Sequence, residues 1–91
     1  MNSQYFIDLS GVRSRQEIHQ RLRQALPLPQ WYGDNLDSLY DVLTEWNGPA
    51  ELVFQNWAGA KEAGPEYMDR LRRMLGDACR ENPALTVEFQ E

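Results

Sequence analysis

Apolar positions along this chain change their spacing several times, and each change predicts an element. Tyr5, Phe6, Ile7 and Leu9 crowd into Gln4 to Leu9, a run rich in strand formers that Ser10-Gly11 ends, so a first strand is expected there. Ser14-Arg15-Gln16-Glu17 has the form of a capping box, in which the Ser14 hydroxyl accepts from the Glu17 amide and the Glu17 carboxylate reaches back to the Ser14 amide. Ile18, Leu22 and Ala25 follow at helical spacing, until Pro27 and Pro29 stop the helix. A second helix is expected from Asp34 or Asn35, either of which can cap it, with Gly33 supplying the freedom to turn into it.

The consecutive Leu52, Val53 and Phe54 make Ala50 to Asn56 read as a strand buried on both faces. Trp57 to Ala63 suits a short helix, and Gly64-Pro65-Glu66 opens a longer one with proline at its first position and an acid at the positive end of its dipole. Tyr67, Leu71, Met74, Leu75 and Ala78 form its apolar stripe, Asn82-Pro83 ends it, and Leu85 to Phe89 reads as a last strand. The order β-α-α-β-α-α-β predicts an α/β fold, a small three-stranded parallel sheet packed by about four helices. With no repeat, low-complexity segment or interdomain linker, residues 1–91 read as one domain.

The second helix divides into two faces. At about 100° per residue, Leu36, Leu39, Val42, Leu43 and Trp46 share an arc of roughly 120° that faces the core. Asp37, Asp41, Thr44 and Glu45 occupy the opposing arc, with Tyr40 on the boundary. Asp37 and Asp41 are four apart and stand on the same side, where like charges repel by a few tenths of a kcal/mol. Asp34 and Asp37 lie near the positive helix end, but Asp41 and Glu45 lie beyond its help. Uncompensated acids in mid-helix are a local conflict of the kind that functional sites carry.

Charge sharpens this picture. The formal net charge is −5, which argues against nucleic acid or an anionic membrane as the main partner. No Lys or Arg occurs between Arg23 and Lys61, where Asp34, Asp37, Asp41, Glu45 and Glu51 all fall, whereas basic residues gather in Arg13 to Arg23 and Arg70 to Arg80. A dipolar molecule with one strongly negative patch is expected, and both a solvated acidic face and a docking face for a basic partner fit it. The 42% apolar and 25% charged residues are ordinary for a soluble globular protein. The single cysteine, Cys79, excludes an intramolecular disulfide and a multi-cysteine metal site, in keeping with a reducing cytoplasm. The segment Met1 to Asp8 has neither the basic start nor the apolar run of a secretory signal, and no apolar run is long enough to span a bilayer.

The aromatics and the remaining titratable groups bear on chemistry. Trp46, Trp57 and Phe54 are read as core residues. Trp31 and Tyr32 sit in a turn between proline and glycine, where one at most points inward and the other is a contact residue. His19, the only histidine, is placed on the exposed side of the first helix beside Arg15 and Arg23. Cys79 falls at the edge of the last helix's stripe and is read as a small hydrophobe. Asp37 and Asp41 could serve as an acid/base pair or bind a hard cation, but no phosphate loop, Ser-His-Asp arrangement, His cluster or calcium loop accompanies them. No catalytic residue, metal site or cofactor is expected.

The stretch from Leu28 to Asp41, with Leu28-Pro29, Trp31-Tyr32-Gly33, Asn35-Leu36-Asp37, Leu39-Tyr40-Asp41, and then Leu43-Thr44 and Trp46, resembles the barstar family, small bacterial intracellular inhibitors of ribonucleases. The resemblance extends to Ile18-His19 and Leu85-Thr86-Val87 and covers essentially the whole chain. It implies three parallel strands with four helices, and a loop and second helix that plug the cationic active site of a secreted ribonuclease. Carried over by motif, the partner-binding positions are Trp31 with Tyr32 beside it, Asn35, Leu36, Asp37, Tyr40, Asp41 as the central acid, Thr44, Trp46 and, on the last long helix, Asp77. Trp31 stands where the family often has Tyr, Tyr40 where it often has Trp, Asp77 where Glu is usual, and Val42 where the type member has a cysteine. The implied protein is a cytoplasmic, non-catalytic 1:1 inhibitor of a basic ribonuclease. The alternative is a barstar-like binding or immunity domain for another basic partner, such as the nuclease domain of a toxin.

Overall fold

In the computed structural model, which describes residues 3–91, the elements follow the expected order. They are β1 (Ser3–Asp8), α1 (Arg15–Ala25), α2 (Leu36–Thr44), β2 (Ala50–Gln55), α3 (Trp57–Ala63), α4 (Pro65–Glu81) and β3 (Leu85–Phe89). The strands form one parallel sheet in the order β1-β2-β3, so the α/β architecture of three parallel strands and four helices is as predicted. Met1 and Asn2, the start of the segment read for a secretory signal, lie outside the described residues.

The register aligns Tyr5 with Leu52 and Val87, and Ile7 with Phe54 and Phe89. Alternation along each strand puts these residues on one face, where Ile7, Leu52 and Phe54 join Ile18 and Leu22 of α1, Leu39 and Leu43 of α2, and Leu71 and Leu75 of α4 in the core. Trp57 closes it edge-on against Phe89, with ring centroids 4.6 Å apart. The expectation that β2 is buried on both faces holds along its middle, Leu52 to Phe54, while Glu51 and Gln55 are half-buried. Val53 is only 2% exposed, yet it belongs to the opposite face with Phe6 and Glu88 and lies outside the core cluster. A central strand is flanked on both sides, so neighbouring side chains cover Val53 while Phe6 on the edge strand stays 52% exposed.

Several local expectations hold in altered form. Ser14 caps α1 by accepting from the Glu17 amide at 3.2 Å, but the Glu17 carboxylate accepts from the Arg13 amide at 3.0 Å instead of the Ser14 amide. Asn35 caps α2, its side-chain oxygen accepting from the Ser38 amide at 2.7 Å. The left-handed turn into α2 is made by Asp34, with φ of 54°, and not by Gly33. Glycine at 33 leaves room for the cap: a Cβ there would come within 3.0 Å of Asn35 Nδ2 and 3.1 Å of Ser38 Oγ, so both side chains would have to shift by a few tenths of an ångström. The stripe of α4 includes buried Met68 beside the expected Tyr67, Leu71, Leu75 and Ala78.

Two bonds made by Asn82, the residue after α4, set the placement of α2. Its Nδ2 donates to the carbonyl of Leu43, in the last turn of α2, at 3.0 Å and to that of Trp46, just past its end, at 3.1 Å. The buried Leu39 and Leu43 fix the rotation of α2, since burying each is worth about 1.5–3 kcal/mol against a few tenths for repulsion between the acids. The opposing acidic face is thereby held outward.

Candidate functional site

The loop before α2 supplies the first part of the site. After Pro27 and Pro29 the chain turns, the Tyr32 amide donating to the Pro29 carbonyl at 3.1 Å. The two aromatics divide as expected, Trp31 being 56% exposed and Tyr32 only 3%. Tyr32, carried over as a partner-binding position, is therefore corrected to a buried one. Its hydroxyl lies 2.5 Å from His19 Nδ1, and burial pushes the phenol pKa well up. The Gly33 amide donates to Ser38 Oγ at 3.2 Å, and Asn35 Nδ2 donates to the Gly33 carbonyl at 3.1 Å. The Asn35 side chain is thus engaged on both sides in joining loop to helix.

His19 is the second correction. It is 1% exposed, with Nδ1 at Tyr32 and Nε2 2.7 Å from the Tyr67 hydroxyl of α4. Burial holds its pKa below the ordinary value, a nearby Asp34 works against this and Arg23 works with it. The signal for burial was in the chain: His19, Leu22 and Leu26 stand at i, i+3 and i+7, so His19 shares the apolar side of α1. The polarity of the ring hid it.

On α2, which ends at Thr44, Asp37 and Asp41 are exposed and Leu36, Tyr40 and Thr44 half-buried; of the two residues after it, Glu45 is exposed and Trp46 half-buried. Leu36, Tyr40 and Trp46 pack against the core, and the Thr44 hydroxyl donates back to the Tyr40 carbonyl at 2.9 Å. Trp46, read as a core residue, thus keeps part of its surface outside and meets Tyr5 edge-on at 5.5 Å. Among the described residues the ion pairs are Arg23–Asp34, Lys61–Asp69 and Arg80–Asp77. Asp37, Asp41 and Glu45 enter none of these pairs. Asp34, counted with the acids of the patch, is engaged by Arg23 Nε at 2.7 Å. Asp77 lies on α4, which packs against α2, and its carboxylate already accepts from Arg80 one turn on.

The loop before α2 thus carries an exposed Trp31, and on the helix that follows Asp37 and Asp41 stand exposed one turn apart, outside the ion pairs of the described residues, with Tyr40 and Thr44 half-buried beside them. Such a surface can insert negative charge into a cationic cleft and cover the rim with aromatic area. None of its residues lines the surface cleft of about 390 Å³ between the starts of α1 and α4, which is lined by Arg13, Arg15, Ile18, Pro65 and Tyr67 among others. A plugging surface protrudes and needs no cavity of its own. Among the described residues no three His, Cys, Asp or Glu side chains are grouped to hold a metal ion, and no helix is long and apolar enough to cross a membrane. Cys79 is partly buried at the edge of the core, and burial raises its thiol pKa.

Comparison with known proteins adds a lineage to this geometry. The family model described as "Barstar (barnase inhibitor)" matches residues 2–90. The Bacillus subtilis (strain 168) protein named "Putative ribonuclease inhibitor YrdF" is 32% identical over 76 residues, which cover 82% of this chain and 84% of that one. A match over nearly the full length, on a chain whose strand and helix order is the one the motif implied, places this protein in the barstar family.

Proposed function

We propose that this protein is a non-catalytic inhibitor of a basic ribonuclease, binding 1:1 as a single domain in the cytoplasm without a cofactor. Trp31, Asn35, Leu36, Asp37, Tyr40, Asp41, Thr44 and Trp46 form its contact surface. The observation that carries this reading is the Asp37/Asp41 pair, exposed and outside every ion pair among the described residues, on a helix rotated by its own apolar face. Two carboxylates in that state await cations that the chain does not provide. In a ribonuclease active site, arginine and lysine groups that hold phosphate would take them, with Asp41 in the phosphate position. Tyr32 contributes by supporting the loop from inside. Asp77 serves only where a partner competes with Arg80 for it.

Barnase, the enzyme in the family's description, is the first probe. Asp41→Ala should weaken inhibition by about 3–5 kcal/mol, the usual consequence of leaving one member of a buried ion pair alone. Glu45→Ala, at the rim, should cost less than about 1 kcal/mol. Equal and negligible effects in an inhibition assay would rule out the plug. Wild-type protein inert toward barnase but captured by the nuclease domain of a toxin, with the same ranking of variants, would assign the same surface to that partner.

A further inference from the structure

The backbone from Trp31 to Asp34 has little structure of its own. Its local support is the Tyr32 amide bond to Pro29, the Gly33 amide bond to Ser38 and the Asn35 side-chain bond to the Gly33 carbonyl. Asp34 adopts the left-handed conformation, which costs a residue with a Cβ roughly 1–2 kcal/mol. Three attachments reach this segment from α1. His19 Nδ1 meets the Tyr32 hydroxyl, Arg23 Nη2 donates to the Tyr32 carbonyl at 2.7 Å, and Arg23 Nε donates to Asp34 Oδ1 at 2.7 Å. His19 and Arg23 are four apart, so they stand one turn from each other on the same side of α1. From the far side, the Tyr67 hydroxyl of α4 holds His19 Nε2 at 2.7 Å.

We infer that His19 and Arg23 are positioning residues for the contact loop, braced by Tyr67, and that they hold Tyr32 to Asp34 so that Trp31 is presented beside the Asp37/Asp41 row. They touch no partner and act through Tyr32 and Asp34. This inference rests on the reading of that row and Trp31 as the contact surface.

Proton chemistry makes the clamp sensitive to pH. A neutral imidazole offers one N–H and one lone pair, so between two hydroxyls one tyrosine donates to it and the other accepts from it. Protonation turns both ring nitrogens into donors, and the tyrosine that was donating must turn its O–H away inside a buried site. The charged groups facing the cluster are Asp34 from the loop, Arg23 from α1, and Arg15 and Arg70, whose guanidinium carbons lie 4.7 and 5.7 Å from the Tyr67 ring centroid. One carboxylate, itself engaged by Arg23, does not offset three cations and burial. Acidification through the lowered pKa of His19 therefore loosens the grip on Tyr32.

The test is amide hydrogen exchange followed by NMR on the free chain from about pH 7.5 downward to the onset of acid unfolding, corrected for intrinsic rates. In wild type, protection of the Tyr32 and Gly33 amides should fall roughly tenfold on acidification while Leu52 and Val53 in β2 keep theirs. His19→Gln, which cannot take the proton, should flatten that profile. Arg23→Gln, a surface variant that leaves the core intact, should lower loop protection at every pH. It should also raise the Kd for barnase by roughly tenfold or more. Loop amides that track β2 at every pH in wild type and in both variants would overturn the inference and leave these side chains a part in global stability alone. A released loop with unchanged barnase affinity in Arg23→Gln would overturn the link from loop placement to binding. Failure of wild type to bind barnase would count against the functional reading, and the exchange profile would still decide whether the clamp holds the loop.

Discussion

The histidine between two tyrosines shows how one buried polar residue shapes stability. Folded His19 resists protonation, whereas in the unfolded chain it titrates near its ordinary value of 6.5. Below that value the unfolded state binds more protons, so the contribution of His19 is full above about pH 6.5 and lost as pH falls through the lowered folded pKa. Urea unfolding at a series of pH values should show this fall, and His19→Gln should remove its share. Tyr67→Phe should cost about 1–3 kcal/mol at neutral pH, because a buried ring nitrogen loses its only partner on that side. At this scale the chain was half legible. The division of Trp31 and Tyr32 followed from turn geometry, but His19 was read as exposed because polarity was weighed above its spacing to Leu22 and Leu26. Its two hydroxyl partners come from positions 13 and 48 residues away, and no local pattern announces them.

Helix α2 stands between two opposing demands, an apolar face that fixes its rotation and an acidic face that repels itself. Neutralising the latter with Asp41→Asn, beyond the reach of the positive helix end, should leave the free protein as stable or slightly more stable, by a few tenths of a kcal/mol in thermal unfolding. Marked destabilisation would give that carboxylate a structural part instead. The ends of α2 are held differently. Asn82→Ala removes both bonds, leaving the Leu43 carbonyl to backbone amides alone, and should cost about 1–2 kcal/mol, readable as a lower urea midpoint. Gly33→Ala forces Asn35 or Ser38 aside and should lose most of a cap, about 0.5–2 kcal/mol. The caps of α1 and α2 were predicted from sequence, since they depend on residues within four positions. The use of Asn82 to cap a different helix was not, because it links residues 36 and 39 apart.

At the scale of the whole molecule, a net charge of −5 and an acid row without cations imply association that is steered by charge. The rate constant for binding a basic ribonuclease should fall steeply as salt rises, while dissociation changes little; a flat association rate in stopped-flow mixing would count against the electrostatic plug. Arg23 does reach into the patch, but only as far as Asp34, leaving Asp37 and Asp41 uncompensated. The sequence by itself determined the order of elements, the parallel sheet, the core face of α2 and the stretch that carries the family motif, because periodicity, caps and helix-stopping prolines act over a few residues. Tertiary structure alone decided that Tyr32 turns inward to His19, that Asp34 finds a cation on α1, and that α1 and α4 meet at the loop before α2 through His19. Those outcomes depend on which distant side chains arrive at the same place, and packing settles that only once the sheet has brought the helices together.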